Sequence, residues 1–401
     1  MSSAYESYGL SSRVAEIPEN QIARIADLAR NDPEVIKLWI GEGDLPTPGF
    51  INQAAERALQ DGETRYTYSQ GLPQLREALA RYHQRHWNVA VDPSRFCITV
   101  GGMNALMLSL QMILEPGDEV ITPTPAWPNS LEAIRILGGV NVTVGYEFDA
   151  GGGMSLPLDR LFGAVTPRTR AIFVNSPSNP TGWKMSREEM IQLRDFCRER
   201  RLWIIADEVY AHFVYDDARV APSFLEICTA DDRLIVTNTF SKNWCMTGWR
   251  AGWAIVPEGL GGLLSNLGQY NTTSIPTFIQ HACVAALDQG DDFIRYQVER
   301  CRASRQVLVE GLSRLPHVSV FAPQGTFYLF FRLDGVSGES FEIARHILEQ
   351  AKVGIAPGSA FGDGGEGYMR ICFAIDPALA QQALERLTPC LIALGSLSKS
   401  A

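Results

Sequence analysis

One lysine, Lys242, lies in the stretch TFSKNWCMTGWRAGW, which runs from Thr239 to Trp253 and is rich in small, apolar and aromatic residues. A buried ammonium without a partner is costly, so such a lysine must reach water, bind an anion or lose its proton. An unprotonated lysine is the nucleophile that Schiff-base enzymes use. The stretch alone fits a surface loop with apolar neighbours equally well. Other parts of the sequence are needed to distinguish a reactive lysine from a surface lysine.

Two further positions with possible chemistry follow short apolar runs. Gly101 and Gly102 follow FCITV and lead into a helical pattern, GGMNALMLSLQMIL. Glycines there let the backbone approach a ligand, and the free N–H groups of a first helical turn favour a phosphate. A tight turn without a ligand would explain them about as well. Asp207 ends the run WIIAD and is either a helix N-cap or a buried anion with a cationic partner.

Hydroxyl and guanidinium groups flank the lysine. Thr239 and Ser241 precede it, and Arg250 follows eight residues later. An arginine beside hydroxyls can hold a phosphate, although it can also lie on the surface. Asn179 lies in SPSNPTG, a sequence typical of a turn.

Together these positions offer a phosphate cradle, an amine and an anion, to which Tyr210 adds a phenol and Trp127, in PTPAWPNS, an aromatic face. One ligand uses all five, pyridoxal 5′-phosphate. Its aldehyde condenses with a lysine, its pyridinium nitrogen needs an aspartate, and its phosphate needs N–H groups and an arginine.

The elements that position these residues alternate between residues 95 and 255. Short apolar runs indicate strands: FCITV, DEVITPTP, RAIFVNSP, WIIADEVY, LIVTNTFS and RAGWAIVP. Helical patterns such as SREEMIQLRDFCRERR separate them. This alternation predicts an α/β fold, a large domain with a mainly parallel sheet sandwiched by helices.

A smaller α+β domain is expected from the C-terminal part and the N-terminal segment. VSVFAPQGTFYLFFRL, VGIAPGSAF and YMRICFAI indicate strands, and SFEIARHILEQAK and PALAQQALERLTPCLIAL indicate helices. We expect an N-terminal arm and small-domain segment at 1–45, the large cofactor-binding domain at 46–289 and the small C-terminal domain at 290–401. The arm up to Lys37 is polar and without periodicity, and it is free to dock elsewhere, including on a partner subunit.

The composition argues against several functional classes, namely nucleic-acid-binding, membrane, secreted and metal-binding proteins. The 401 residues are 46% hydrophobic and 20% charged, a globular balance, and the net charge of −10 includes no basic block. Nucleic-acid and membrane partners are therefore not expected. The N-terminus lacks a signal-peptide pattern and no run of 18 apolar residues occurs, which favours a cytoplasmic protein. The eight cysteines are scattered, typical of buried free thiols, and no metal site is expected.

The order and spacing of the motifs resemble the class I/II aminotransferases of the aspartate aminotransferase superfamily, which have fold type I and use pyridoxal phosphate. The resemblance runs from GEGDLPTP at residue 41 to MRICFA, which ends at residue 374. Between them lie YTYSQGLPQLREAL, TVGGMNAL, SPSNPTG, ADEVY, SKNWCMTGWRAGW and PGSAFG. So long an ordered series is specific for the family and far less so for the substrate.

The resemblance implies a role for each position. Lys242 would attach the cofactor and then move a proton, and Asp207 would pair with the pyridine nitrogen. Asn179 and Tyr210 would hydrogen-bond the phenolate oxygen, and Trp127 would stack on the ring. The phosphate would be held by backbone N–H groups, hydroxyls and a guanidinium, those of Gly102, Met103, Thr239, Ser241 and Arg250.

The resemblance also implies a homodimer with shared active sites, in which Tyr66 reaches the phosphate of the other subunit. Arg370 would bind the α-carboxylate of the substrate as a bidentate pair, with Gly41, Trp127 and Asn179 nearby. The substrates would be an L-amino acid and a 2-oxo acid.

Departures from the family pattern are few. GEGDLP replaces the commoner GEPDF, and Tyr68 and Thr239 replace a frequent proline and serine. Met103 stands where some aspartate-specific relatives have a lysine, and residues 264–282 contain no lysine or arginine. We therefore expect an aminotransferase that favours a neutral amino acid, although Arg24 could supply a cation. Alternatives are an aspartate-specific enzyme, a lyase, a cyclising synthase or an oxidase on the same fold, and a non-enzymatic sensor.

Overall fold

The computed structural model describes residues 8–148 and 153–397, and a seven-stranded sheet lies at its centre. In spatial order the strands are Phe96–Thr99, Gly252–Ile255, Leu234–Thr239, Trp203–Asp207, Thr169–Asn175, Glu119–Thr124 and Val140–Gly145. Gly252–Ile255 is antiparallel to both of its neighbours, and the other neighbours pair in parallel. The expected α/β class with a mainly parallel sheet is confirmed.

Helices cover this sheet, and four of its strands are buried along their whole length, namely Phe96–Thr99, Glu119–Thr124, Leu234–Thr239 and Gly252–Ile255. A sheet covered on both faces needs strands that are apolar throughout, which is why the runs do not alternate. The helices of this part are Gly49–Gln60, Pro73–Trp87, Gly101–Ile113, Pro128–Ile136, Leu158–Gly163, Arg187–Arg200, Gly261–Asn271 and Thr277–Gln289. Their apolar sides and the sheet form two buried clusters.

A second, four-stranded antiparallel sheet follows in the C-terminal part. Its strands, in spatial order, are Val318–Phe321, Tyr328–Leu333, Tyr368–Cys372 and Ala356–Pro357. The helices beside it are Asp291–Leu312, Ser340–Ala351 and Pro377–Leu397. The strands and helices expected in this α+β unit are present, with their own buried cluster. The boundaries at 45/46 and 289/290 remain predictions.

Short elements complete the described chain. A hairpin pairs Glu147–Phe148 with Met154–Ser155. Single 3₁₀ turns occupy Pro93–Arg95, Phe224–Glu226, Thr247–Trp249 and Gly358–Phe361. All eight cysteines are free thiols. Within the described ranges, no helix combines the length and the apolarity that a membrane span requires.

The N-terminal segment packs on its own chain. A helix, Gln21–Asp27, begins after Asn20, whose side-chain oxygen accepts hydrogen bonds from two backbone N–H groups, as an N-cap does. It buries Ile25 completely. The strand Ile36–Lys37 then pairs in parallel with Val353–Gly354. The expectation of an aperiodic arm up to Lys37 is therefore wrong for residues 20–37, and residues 1–7 lie outside the described part.

Candidate active site

The polar residues that follow the strands line one cavity of about 450 Å³. Asn175, Asp207 and Thr239 are the last residues of three neighbouring parallel strands. Ligands gather at this edge of an α/β sheet. Twelve of the thirteen site residues expected from the sequence line the cavity: Gly41, Gly102, Met103, Trp127, Asn179, Asp207, Tyr210, Thr239, Ser241, Lys242, Arg250 and Arg370.

Tyr66 is the exception. Its side chain is 96% exposed and does not line the cavity of its own chain. A role in this cavity within a single subunit is therefore excluded by its position. The predicted role at the cavity of a second subunit is untested by one chain.

At one end of the cavity, groups that bind anions converge on the first turn of the helix Gly101–Ile113. Its first N–H groups have no intrahelical acceptor, and Gly101 takes a left-handed conformation with φ +78°. The hydroxyl oxygens of Thr239 and Ser241 lie 2.9 Å apart. The Arg250 guanidinium lies over the turn, because a Cβ added to Gly101 would be 2.6 Å from its Nη2. N–H groups, hydroxyls and a guanidinium together suit a phosphate.

Lys242 points into the same cavity. Its Nζ donates a hydrogen bond to the carbonyl oxygen of Gly41 at 2.8 Å, and it forms no salt bridge with a described residue. Burial lowers the pKa of the Lys242 amine to about 8. The lysine is therefore a partly buried residue of the cavity wall and not a surface lysine, and its lowered pKa leaves more free amine near neutral pH than an exposed lysine has.

Asp207 is 5% exposed, and one of its carboxylate oxygens, Oδ1, has no hydrogen-bond partner among the described residues. A turn follows it, not a helix, so it is a buried acid and not an N-cap. Burial raises the pKa of Asp207 to about 7. Buried polar atoms are normally paired, so this oxygen indicates a ligand with a positive or hydrogen-donating group.

The remaining polar wall is a network around Arg370. Its Nη1 donates to Asn179 Oδ1 at 2.9 Å, and its Nη2 donates to the carbonyl oxygen of Trp39. Its guanidinium carbon lies 4.3 Å from the centre of the Tyr328 ring. The hydroxyl of Tyr328 is in turn 2.8 Å from that of Tyr210. Arg370 is thus fixed by its neighbours, while its Nε has no partner among the described residues.

Comparison with known proteins explains this arrangement. The model of the family "Aminotransferase class I and II" matches residues 33–387. The chain belongs to that family. It is therefore an aminotransferase, an enzyme that moves an amino group from an amino acid to a 2-oxo acid.

Individual relatives match this chain along nearly its whole length. A probable aspartate/prephenate aminotransferase of Aquifex aeolicus is 35% identical over 96% of this chain and 98% of its own length. An aromatic-amino-acid aminotransferase of Thermococcus litoralis is 35% identical over 94% and 97%. The crystal structure of an aspartate aminotransferase from Thermotoga maritima, 33% identical, superposes with a TM-score of 0.87 over 95% of this chain and 99% of that one.

Sequence reasoning missed several residues of the aminotransferase cavity, including Ile22, Arg30, Glu42, Asn175, Val209 and Tyr328. Asn175 could have been found, because it ends the run RAIFVN as Asp207 ends WIIAD. The other side chains reach the cavity through packing that no local pattern in the sequence indicates.

The arginine at the N-terminal wall is Arg30 and not Arg24. Arg24 lies over the ring of Phe341, 4.1 Å from its centre, and does not line the cavity. Arg30 does, although it is paired with Asp27 at 2.6 Å and remains more than half exposed. Met103 lines the cavity as well and contributes an apolar side chain to its wall.

The close approach of strand Gly252–Ile255 to the helix start gives a first prediction. A Cβ on Gly252 would lie 2.6 to 2.8 Å from backbone atoms of Gly101, Gly102 and Asn238. Gly252→Ala should displace the helix start, destabilise the fold by about 1–3 kcal/mol and lower transaminase activity. Thermal unfolding and activity would be measured against Gly262→Ala, since a Cβ on Gly262 meets nothing within 4 Å. Equal behaviour of the two variants would contradict the prediction.

Proposed function

We propose that the cavity binds pyridoxal 5′-phosphate and that the enzyme transaminates a neutral L-amino acid with a 2-oxo acid. One observation carries the proposal: Asp207 Oδ1, a buried carboxylate oxygen without a partner among the described residues, lines the same cavity as the partly buried amine of Lys242. The cofactor, when bound, supplies an aldehyde that condenses with amines and a ring that accepts the electrons of a breaking bond at the substrate α-carbon.

The residues present fit this cofactor. The groups that would hold its phosphate are the N–H groups of Gly102 and Met103, the hydroxyls of Thr239 and Ser241, and the guanidinium of Arg250. Asp207 would hold a proton on the pyridine nitrogen, because a protonated nitrogen satisfies its orphaned oxygen and favours the charged carboxylate. Trp127 would cover the ring, and Asn179 and Tyr210 would hydrogen-bond the ring oxygen.

Lys242 would act twice through one atom, Nζ. Its lowered pKa leaves free amine for covalent attachment of the cofactor near neutral pH. The same nitrogen would also act as the base that takes the proton from the substrate α-carbon and as the acid that returns it.

Arg370 would bind the α-carboxylate of the amino acid. Two of its nitrogens are used by Asn179 and Trp39, which leaves Nε and the second N–H of each terminal nitrogen for a substrate carboxylate. A guanidinium fixed in this way loses little side-chain entropy on binding. Recognition of the α-carboxylate is common to all amino-acid substrates, so it does not set specificity.

We further propose a homodimer in which Tyr66 reaches the cavity of the partner subunit, and a cytoplasmic location. The exposure of Tyr66 supports the first part, since a tyrosine that is 96% exposed is available for a contact with a second copy. A closed two-fold dimer would bring two such contacts together.

A neutral substrate is favoured by the chemistry of the wall. A second carboxylate needs a cation beside the Arg370 site, because an unpaired buried carboxylate costs several kcal/mol. Met103 offers none, and Arg30 is already paired with Asp27. Aspartate is the second candidate, because Arg30 could exchange Asp27 for a substrate carboxylate and several relatives are named aspartate aminotransferases.

The cofactor proposal predicts a single attachment site among the five lysines of the chain. Borohydride reduction of the protein loaded with pyridoxal phosphate, followed by peptide mapping, should find the pyridoxyl group on Lys242. Lys184→Arg is the matched control and should keep the label, because Lys184 is paired with Asp216 away from the cavity. A label on another lysine of the wild type would refute the assignment.

The substrate proposal predicts that neutral amino acids, aliphatic or aromatic, react faster than aspartate in the first half-reaction. Single-turnover rates over a panel of amino acids would measure this, in the wild type and in Arg30→Gln. The variant should keep its rates with neutral amino acids. A preference of the wild type for aspartate of about tenfold or more, worth about 1.4 kcal/mol in the transition state, would overturn the proposal, and its loss in Arg30→Gln would establish the aspartate candidate.

A further inference from the structure

Gln297, on the helix Asp291–Leu312, binds the turn after Lys242 at two points. Its Nε2 donates to the carbonyl oxygen of Asn243 at 2.7 Å, and its Oε1 accepts from the thiol of Cys245 at 3.0 Å. Gln297 is 6% exposed. The turn belongs to no helix or strand. These two side-chain hydrogen bonds therefore fix its backbone in place of the backbone hydrogen bonds that fix a helix or a strand.

Arg300, one helical turn further, binds the segment that faces Lys242. Its two terminal nitrogens donate to the two carboxylate oxygens of Asp44 at 2.8 and 3.0 Å, a bidentate pair of the strong kind. Asp44 also accepts a hydrogen bond from the backbone N–H of Asp376 at 2.8 Å. Residues three apart lie on the same face of a helix, so Gln297 and Arg300 act from one face.

The two segments meet at the amine. Lys242 Nζ donates to the carbonyl oxygen of Gly41 at 2.8 Å, three residues before Asp44. A further bond, from Thr47 Oγ1 to the carbonyl oxygen of Cys245 at 2.6 Å, ties the same segments directly. The amine and its acceptor are thus held by separate contacts to one rigid helix.

We propose that Gln297 is a positioning residue for Lys242, with Arg300 positioning the Gly41 carbonyl on the facing segment. The inference deepens the proposed function, because it assigns the residues that hold the reactive amine in place. Gln297 contacts the neighbours of Lys242 and not Lys242 itself, so its effect is exerted through the turn.

Loss of the carboxamide has a definite physical consequence. Without it, the carbonyl of the buried Asn243 and the thiol of the partly buried Cys245 lose their hydrogen bonds to Gln297, which is unfavourable unless the turn opens to water. Water around Nζ removes the desolvation that favours the neutral amine. The amine should therefore become harder to deprotonate, although no charge near it has changed.

The test is competitive labelling of Lys242 with acetic anhydride as a function of pH, in full-length protein purified without cofactor and analysed by peptide mapping. Gln297→Met keeps the length of the side chain and removes both bonds. It should shift the labelling midpoint upward by about one pH unit, which lowers labelling near pH 7 by about tenfold. The ionisable groups that interact with Lys242 keep their side chains in the variant, namely Cys372, Arg370, Glu42, Arg250, Asp207 and Cys245. Of these, Cys245 loses its hydrogen bond to Gln297.

Two further variants complete the design. Gln306→Met is the matched control, since Gln306 lies on the exposed side of the same helix and bonds Glu310; it should label like the wild type. Arg300→Lys keeps the charge and loses the bidentate geometry, so it should shift the midpoint in the same direction. It decides the outcome if Gln297→Met does not fold, as judged by circular dichroism.

In the loaded enzyme, Gln297→Met should lower kcat about tenfold and leave the KM of the 2-oxo acid within about twofold, because Arg370 is untouched. A Gln297→Met protein that folds and labels like Gln306→Met overturns the inference, as does an unshifted Arg300→Lys if Gln297→Met does not fold. Failure of the proposed function is separate: a pyridoxyl label away from Lys242 would refute the cofactor site and leave the labelling curves as they are.

Discussion

Asp207 is buried and Lys242 is partly buried in the same cavity, yet in the described chain the two groups do not form a salt bridge. Desolvation disfavours the charged form of each group, so the pKa of the amine falls to about 8 and that of the carboxyl rises to about 7. Such groups lower the stability of the protein unless a ligand completes them. Pyridoxal phosphate would give each group a partner, since its aldehyde condenses with the amine and its ring nitrogen pairs with the carboxylate.

The parallel sheet makes this arrangement possible. Its strands deliver Asp207 and Thr239 to one edge, where the first turn of the helix Gly101–Ile113 also begins, and Gly252 is the residue that lets strand and helix approach so closely. The segment after Lys242 is anchored in the core by Trp244, which is fully buried. The C-terminal sheet adds Arg370 from its central strand, so both sheets contribute to one cavity.

The sequence predicted the parts of this site that follow strand ends or stand out chemically, such as Lys242 and Asp207, because a polar residue after an apolar run is visible locally. It could not predict Tyr328, whose hydroxyl reaches the cavity only because two sheets pack together. The sequence did not reveal the N-terminal helix, since about two turns of helix give little periodicity. The sequence could not predict the contacts of Gln297 either, because its hydrogen-bond partners are more than fifty residues away along the chain.

The central claim is that Asp207 is kept buried for a ligand at the expense of stability. Its pKa is 3.8 in the unfolded chain and about 7 when folded, so folding takes up a proton. The contribution of Asp207 to the stability of the cofactor-free protein should therefore fall as pH rises between these values, by up to about 4 kcal/mol. Urea unfolding of Asp207→Asn at about pH 8 should show a more stable protein, which has lost transamination, whereas Glu208→Gln, an adjacent buried carboxyl outside the cavity, should keep activity. An Asp207→Asn protein that is no more stable and still transaminates would contradict the account.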